Sequence, residues 1–262
     1  MFRLKLLSLL VFFLAIANTT LALASDTDKE KRWADQTVDS LLVGEAEWLE
    51  AEGQKFLGIY TEELSGTPKG GVIILHGIGV HPNWEDVIYP LRTELPNYGW
   101  ATLSIQMPIL ANEAELKDYI PLIKEAAPRI KAAQAFLKSK DVTPVVLIAH
   151  SLGATMASAT LAETGDMGFI GFAAIGMSSS DLDPQLDTTA QIAKLKLPIL
   201  DLYGSRDLDT VLASATPRAA AARKVDNDKY RQLEIEGADH FFVGLEDELV
   251  TRVRGWLEQL TK

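Results

Sequence analysis

The chain has 262 residues, with 25 Lys and Arg against 36 Asp and Glu, a net charge of −11 and no cysteine. Its 47% hydrophobic and 23% charged residues suit one large domain with a real core, and no composition break divides it in two. The acidic balance argues against nucleic acid or an anionic membrane as partner, and the lack of cysteine excludes disulfides, thiol chemistry and a lipid-modified cysteine.

Residues 1–24 read as a secretory signal peptide. Arg3 and Lys5 give a positive start, Leu6 to Ala17 is almost wholly apolar, and Ala22-Leu23-Ala24 is an A-x-A cleavage site before Ser25. The competing reading is an uncleaved anchor, since Leu6 to Ala24 carries no charge. Asn18, Thr19 and Thr20 interrupt that run where a membrane span should continue. Cleavage leaves 23 basic against 36 acidic residues, a net of −13, on an exported chain with no stable membrane insertion.

Residues 25–44 are polar and charged, and read as a loose or weakly helical lead-in. The main domain is expected over 45–262. Glu45 to Glu50 and Gln54 to Glu62, separated by Glu52-Gly53, suggest a hairpin at a sheet edge. Gly71 to His76 is a short apolar run suited to a strand buried on both faces, followed by Gly77-Ile78-Gly79. Trp84 to Tyr98 has helical spacing, Ala101 to Gln106 is the next strand, and Glu115 to Ser139 reads as a long amphipathic helix containing Pro121 and Pro128. Val145 to Ala149 is a second buried strand, and the helix after it runs to about Glu163. Gly168 to Met177 and Leu197 to Tyr203 are further strands, Asp207 to Val225 is helical, Tyr230 to Glu236 alternates as a strand, and Phe241 to Leu260 closes as a helix. Strands alternating with helices imply an α/β fold, a mostly parallel central sheet with helices on both faces. Ligands of such sheets collect beyond the carboxyl ends of the strands. That rim would gather His76 to Gly79, Met107 to Leu110, Ser151, Met177 to Ser180, Gly204 to Asp207, and Asp239 with His240.

One stretch organises the rest. Ala149-His150-Ser151-Leu152-Gly153 lies between a buried strand and a small-residue helix, the context of a nucleophile elbow. A serine at so sharp a turn is strained, and side chains two positions before and after it would collide. Gly153 satisfies this requirement. Ala149 stands where glycine is usual, a small intrusion. The plainer alternative is a serine that caps the following helix. A serine hydroxyl needs a base, and only His76, His81, His150 and His240 are available. His150 adjoins the serine and should point away from it, His76 should support its own loop, and His81 lies in a rim loop where it could touch substrate. His240, after a late strand, is best placed. The base needs a carboxylate to fix its tautomer. Asp207 in Tyr203-Gly204-Ser205-Arg206-Asp207 is the first candidate, with helix capping as its plainer role, and Asp209 and Asp239 are weaker choices. Oxyanion donors would be the backbone amides of Leu152 and Ile78. Met107, Ile109, Leu110, Met177 and Phe241 are candidates for an apolar acyl pocket, each equally able to be core.

Together, Leu75-His76-Gly77, His150-Ser151-Leu152-Gly153, Gly204-x-x-Asp207 and Asp239-His240 resemble the α/β-hydrolase superfamily over roughly residues 45 to 262. The stretches from Leu75 to Trp84 and from Gly237 to Phe242 also resemble a narrower group of exported bacterial hydrolase-like proteins without assigned function. The resemblance implies a periplasmic or secreted, cofactor-independent serine hydrolase, monomeric, acting on an acyl ester through Ser151, Asp207 and His240. About twenty residues separate Met177 from Pro198, so a minimal lid and small or medium acyl esters are expected. The rival expectation is a hydrolase-shaped binding or envelope protein without chemistry.

Overall fold

The computed structural model describes residues 25–262, so the expected signal peptide lies outside the described residues. Eight strands form one sheet in the order β1-β2-β4-β3-β5-β6-β7-β8. They are β1 (Glu45–Ala51), β2 (Gln54–Thr61), β3 (Gly70–Leu75), β4 (Trp100–Ile105), β5 (Val145–His150), β6 (Phe172–Ile175), β7 (Ile199–Arg206) and β8 (Tyr230–Asp239). The first two make the expected edge hairpin, with Trp48 opposite Leu57, and β2 runs antiparallel to β4; every later pairing is parallel. The helices are α1 (Thr27–Asp39), α2 (Ile88–Glu94), α3 (Ala126–Ser139), α4 (Leu152–Thr164), α5 (Thr188–Ile192), α6 (Asp209–Lys224) and α7 (Glu246–Leu260).

The apolar runs in the central strands are continuous because both faces of the sheet are covered. Ile73 and Leu75 of β3 and Leu147 of β5 enter one core with Ile130, Leu137 and Met156 from α3 and α4. The alternating residues Val72, Ile74, Val146 and Ile148 enter the other, with Leu91 of α2 and Val253 and Trp256 of α7. The order reverses around β3, whose neighbours are β4 and β5, and the crevice for a ligand opens at such a reversal.

Several boundaries differ from the sequence expectation for local reasons. The long helix expected over Glu115–Ser139 is a 3-10 helix, Leu116–Glu125, followed by α3; Pro121 sits inside the first part, where it can donate no hydrogen bond. The run Gly168–Met177 contributes only the four-residue β6. The chain after His240 turns before α7 begins at Glu246. The lead-in, expected to be loose or weakly helical, is a well-anchored helix. Residues 27–39 form a regular helix whose Asp26 cap accepts from the Lys29 amide, and Lys29, Glu30, Ala34 and Thr37 are buried. Tertiary partners rather than helix propensity hold it, since Glu30 pairs with buried Arg129.

Candidate active site

Ser151 follows β5 directly and begins the turn into α4 with φ 54 and ψ −125, a left-handed conformation that a side chain adopts only under tertiary constraint. Close packing supplies the constraint. A Cβ on Gly153 would meet the His76 carbonyl oxygen at 2.3 Å, so glycine is required at that position. Ala149, where glycine was expected, fits as a fully buried core residue. Ser151 makes no side-chain cap for α4, which removes helix capping as its role.

His240 completes the arrangement. Its Nε2 lies 2.9 Å from Ser151 Oγ, and its Nδ1 lies 2.6 Å from Asp207 Oδ1. Asp207 is 5% exposed and His240 7%, so the hydrogen bond between them is screened little by water. Burial alone would raise the Asp207 carboxyl pKa, but the hydrogen bond and charge of His240, with the Leu208 and Gly204 amides, outweigh it and hold the pKa below the usual carboxylate value. A carboxylate in this position makes Nδ1 the proton-bearing nitrogen and leaves Nε2 free to accept the serine proton. Capping does not account for Asp207: Leu208 is the cap position of α6 and no side chain caps that helix. The weaker candidates are engaged otherwise. Asp209 is exposed within α6, and Asp239 accepts from the Phe241 and Val243 amides.

Two neighbours of His240 escaped the sequence reading. Gly176, just after β6, has φ 57, and a Cβ there would press on the His240 ring at 3.0 Å. His150, expected to point away from Ser151, has its ring 4.8 Å from that of His240, and its Nε2 is 3.0 Å from the His240 carbonyl oxygen. Burial pushes its pKa down to about 3, so near neutrality Nε2–H donates to that carbonyl and holds the His240 backbone in place. The signal that could have revealed Gly176 is a glycine at the carboxyl end of a buried strand; His150 gave none, because its partner lies 90 residues away.

The expected oxyanion donors flank Ser151. Leu152 is the first residue of α4, where amides lack helical acceptors and the dipole is positive. Gly77 lies so close that a Cβ would meet Ser151 Cβ at 2.9 Å, so the loop that carries Ile78 passes next to the serine. His76, buried and with a pKa lowered to about 3 by burial, anchors that loop: Nδ1 bonds the Gly77 carbonyl while Nε2 accepts from the Met107 amide.

The expected acyl-pocket residues separate. Met107, Ile109 and Met177 are 1%, 0% and 0% exposed, which makes them sealed interior and corrects their reading as pocket wall. Leu110 is half-buried against the same core. Phe241 is 39% exposed with its ring 5.1 Å from His240, so it remains at the mouth of the site. His81 is wedged between Trp33 and Trp84, with ring centroids at 5.2 and 5.6 Å, and burial lowers its pKa to about 4. It braces α1 against the β3–α2 loop.

The sequence matches the family described as a protein of unknown function, DUF3530, over residues 4–121 and 122–259. The chain belongs to that family. No curated protein matches it in sequence. The structure of this DUF3530 member is similar to those of known α/β-hydrolases. Est1E from Butyrivibrio proteoclasticus, with ferulic acid bound, is 18% identical over 83% of this chain and 100% of its own, with a TM-score of 0.66. Monoglyceride lipase from Saccharomyces cerevisiae is 14% identical over 85% of this chain and 97% of its own, TM-score 0.63. Dienelactone hydrolase from Anabaena variabilis is 20% identical over 84% and 98%, TM-score 0.60. The fold of this DUF3530 protein is therefore the α/β-hydrolase fold.

Proposed function

We propose that this protein is an exported serine hydrolase that cleaves acyl esters. One observation carries the reading: Ser151 Oγ, in a strained left-handed turn, lies 2.9 Å from a histidine nitrogen whose opposite nitrogen is 2.6 Å from a buried carboxylate. A capping serine needs no base, and a structural histidine needs no serine. In the reaction, Ser151 Oγ bonds to the acyl carbon as its proton passes to His240 Nε2. Asp207 stabilises the resulting imidazolium, and the Leu152 and Ile78 amides receive the oxyanion. Collapse breaks the bond to the leaving alcohol, which takes the proton from His240. Water then attacks the acyl-serine with His240 again as base, releasing the acid and restoring Ser151.

The connection between β6 and β7 carries only the five-residue α5, which favours a lightly covered site and small or medium acyl groups. The names of the similar structures, an esterase, a monoglyceride lipase and a dienelactone hydrolase, support ester substrates. Export rests on the charged start, apolar run and A-x-A motif of residues 1–24. Among the described residues no helix is long and apolar enough to cross a membrane. The test is labelling of purified protein with a fluorophosphonate probe beside Ser151→Ala and His240→Ala variants, followed by an ester chain-length screen. Labelling should vanish in both variants. Folded wild-type protein that takes no label would overturn the enzyme reading in favour of a hydrolase-shaped binding protein.

A further inference from the structure

The residues just after the expected cleavage site are tied into the domain by contacts that the hydrolase chemistry does not use. Ser25 is 7% exposed. Its hydroxyl accepts from Arg129 Nη2 at 3.1 Å, and Ser25 sits beside the Glu125 carboxylate in one cleft, with Glu125 4.0 Å from the same Arg129 nitrogen. Arg129 also grips Glu30 through both nitrogens, at 3.0 and 3.1 Å, and donates to the Gln106 carbonyl at 3.0 Å. Next along the chain, the Asp26 amide donates to the Ile109 carbonyl at 2.7 Å, and Lys29 Nζ bonds Leu110 O and Asn112 Oδ1, each at 2.8 Å.

The charge balance of this cluster is incomplete. Glu30 and Glu125 stand around one guanidinium, with side-chain exposures of 7%, 23% and 4% for Glu30, Glu125 and Arg129. Two carboxylates against one fixed cation leave a net of one negative charge in a partly desolvated place, which is costly without a second cation. The imbalance shows at Glu125, whose carboxyl pKa burial pushes up despite Arg129 and Ser25, with Glu30 adding to the rise. A cleft of about 320 Å³ opens here, lined by Ser25, Glu52, Lys124, Glu125 and Arg129 among others. Glu52 and Lys124 are the further charged groups facing it.

We propose that cleavage between Ala24 and Ser25 creates the missing cation: the new α-ammonium of Ser25 pairs with Glu125 and completes a partly buried four-group cluster with Glu30 and Arg129. Hydrolysis of the peptide bond leaves an ammonium on the Ser25 nitrogen, in the cleft that Ser25 shares with Glu125. The proposal rests on the export reading and is independent of whether Ser151 is catalytic.

The test uses two samples. The protein recovered from the exporting cell is weighed intact, and a chain beginning at Ser25 is made by scarless release from a fusion partner. Both are reductively methylated with labelled formaldehyde, and the terminal amine is titrated by NMR. A mass starting at Ser25, an amine pKa above the usual value of about 7.7–8.0, and labelling at pH 7 at least about tenfold slower than in urea are expected. The stability gain over an N-acetylated chain should be full below the unfolded amine pKa and fade as pH rises through the raised folded value. Glu125→Gln should return the amine to its ordinary pKa and rate. An ordinary amine in the folded Ser25 chain, or a natural start elsewhere, would overturn the proposal. Fluorophosphonate labelling of the same samples reports on the hydrolase reading separately.

Discussion

Two aspartates six positions apart in the chain, Asp201 and Asp207, show how one residue type serves two purposes. Asp201, within β7 and fully buried, is saturated by Arg218 Nε and Nη2 at 2.8 and 3.0 Å, by Gln232 Nε2 at 3.0 Å and by the Tyr230 hydroxyl. Arg218 is also fully buried, so the cluster is closed and its cation is permanent. Burial and the Asp201 charge push the Tyr230 hydroxyl pKa far up, which locks its proton in place. Asp207, just beyond the same strand, faces an imidazole, and the far nitrogen of that imidazole reaches a half-buried serine. A permanent cation makes a brace; a partner that can gain and lose a proton makes a relay. Burial alone does not tell them apart.

The contrast predicts opposite phenotypes, and the largest effect is at the relay. Ser151→Ala should lower kcat by about 10⁶-fold while leaving the midpoint of urea unfolding almost unchanged. A variant that keeps its turnover would show that the relay ends elsewhere. Asp207→Asn should lower kcat by about 10⁴-fold through the wrong His240 tautomer, with protein that still folds. At the brace the order reverses. Arg218→Met leaves a buried carboxylate unpaired and should cost about 3–5 kcal/mol in denaturant unfolding, with kcat close to wild type in the molecules that remain folded. Loss of activity in proportion to Asp207→Asn would erase the distinction drawn here.

A smaller effect concerns pH. His76 and His150 are buried with pKa values pushed down to about 3, and His81 to about 4. The unfolded chain takes up these protons below about 6.5, whereas the folded chain does not until its own lower pKa is reached. Unfolding therefore gains protons in that interval, and stability should fall as pH drops from about 6.5 toward 4. The depressed Asp207 carboxyl adds a loss only below the usual carboxylate pKa of about 3.9, because its stabilisation is complete above that value. His81→Phe, which keeps the aromatic wedge but removes the acceptor of the Asn83 amide, should flatten the acid slope in thermal melts without changing the pH profile of kcat. An unchanged slope would assign the acid sensitivity to His76 and His150. The smallest effect expected is at the mouth, where Phe241→Ala should raise KM for apolar acyl esters a few-fold and leave kcat within about twofold.

Much of the fold was legible because its signals are local. Val72 to Leu75 and Val145 to Ala149 are apolar at every position, which only a doubly covered strand requires, and Ala149-His150-Ser151-Leu152-Gly153 names its own turn because Gly153 has no room for a side chain. From these the sheet, the elbow and the order Ser151, Asp207, His240 could be read directly. What remained hidden depends on partners distant in sequence. Helix α1 looked like a loose or weakly helical lead-in because its anchor, Arg129, lies 99 residues from Glu30. The contact of His150 with His240 was invisible because the His240 carbonyl is brought to it only by the pairing of β5, β6, β7 and β8. Met107 and Met177 carry the same apolar side chain whether they line a pocket or fill a core, and only packing decides which. The sequence by itself determined which residues could react and on what kind of sheet they stand. The tertiary structure decided which groups are close enough to exchange a proton, since distance and desolvation are set by contacts that no local pattern contains.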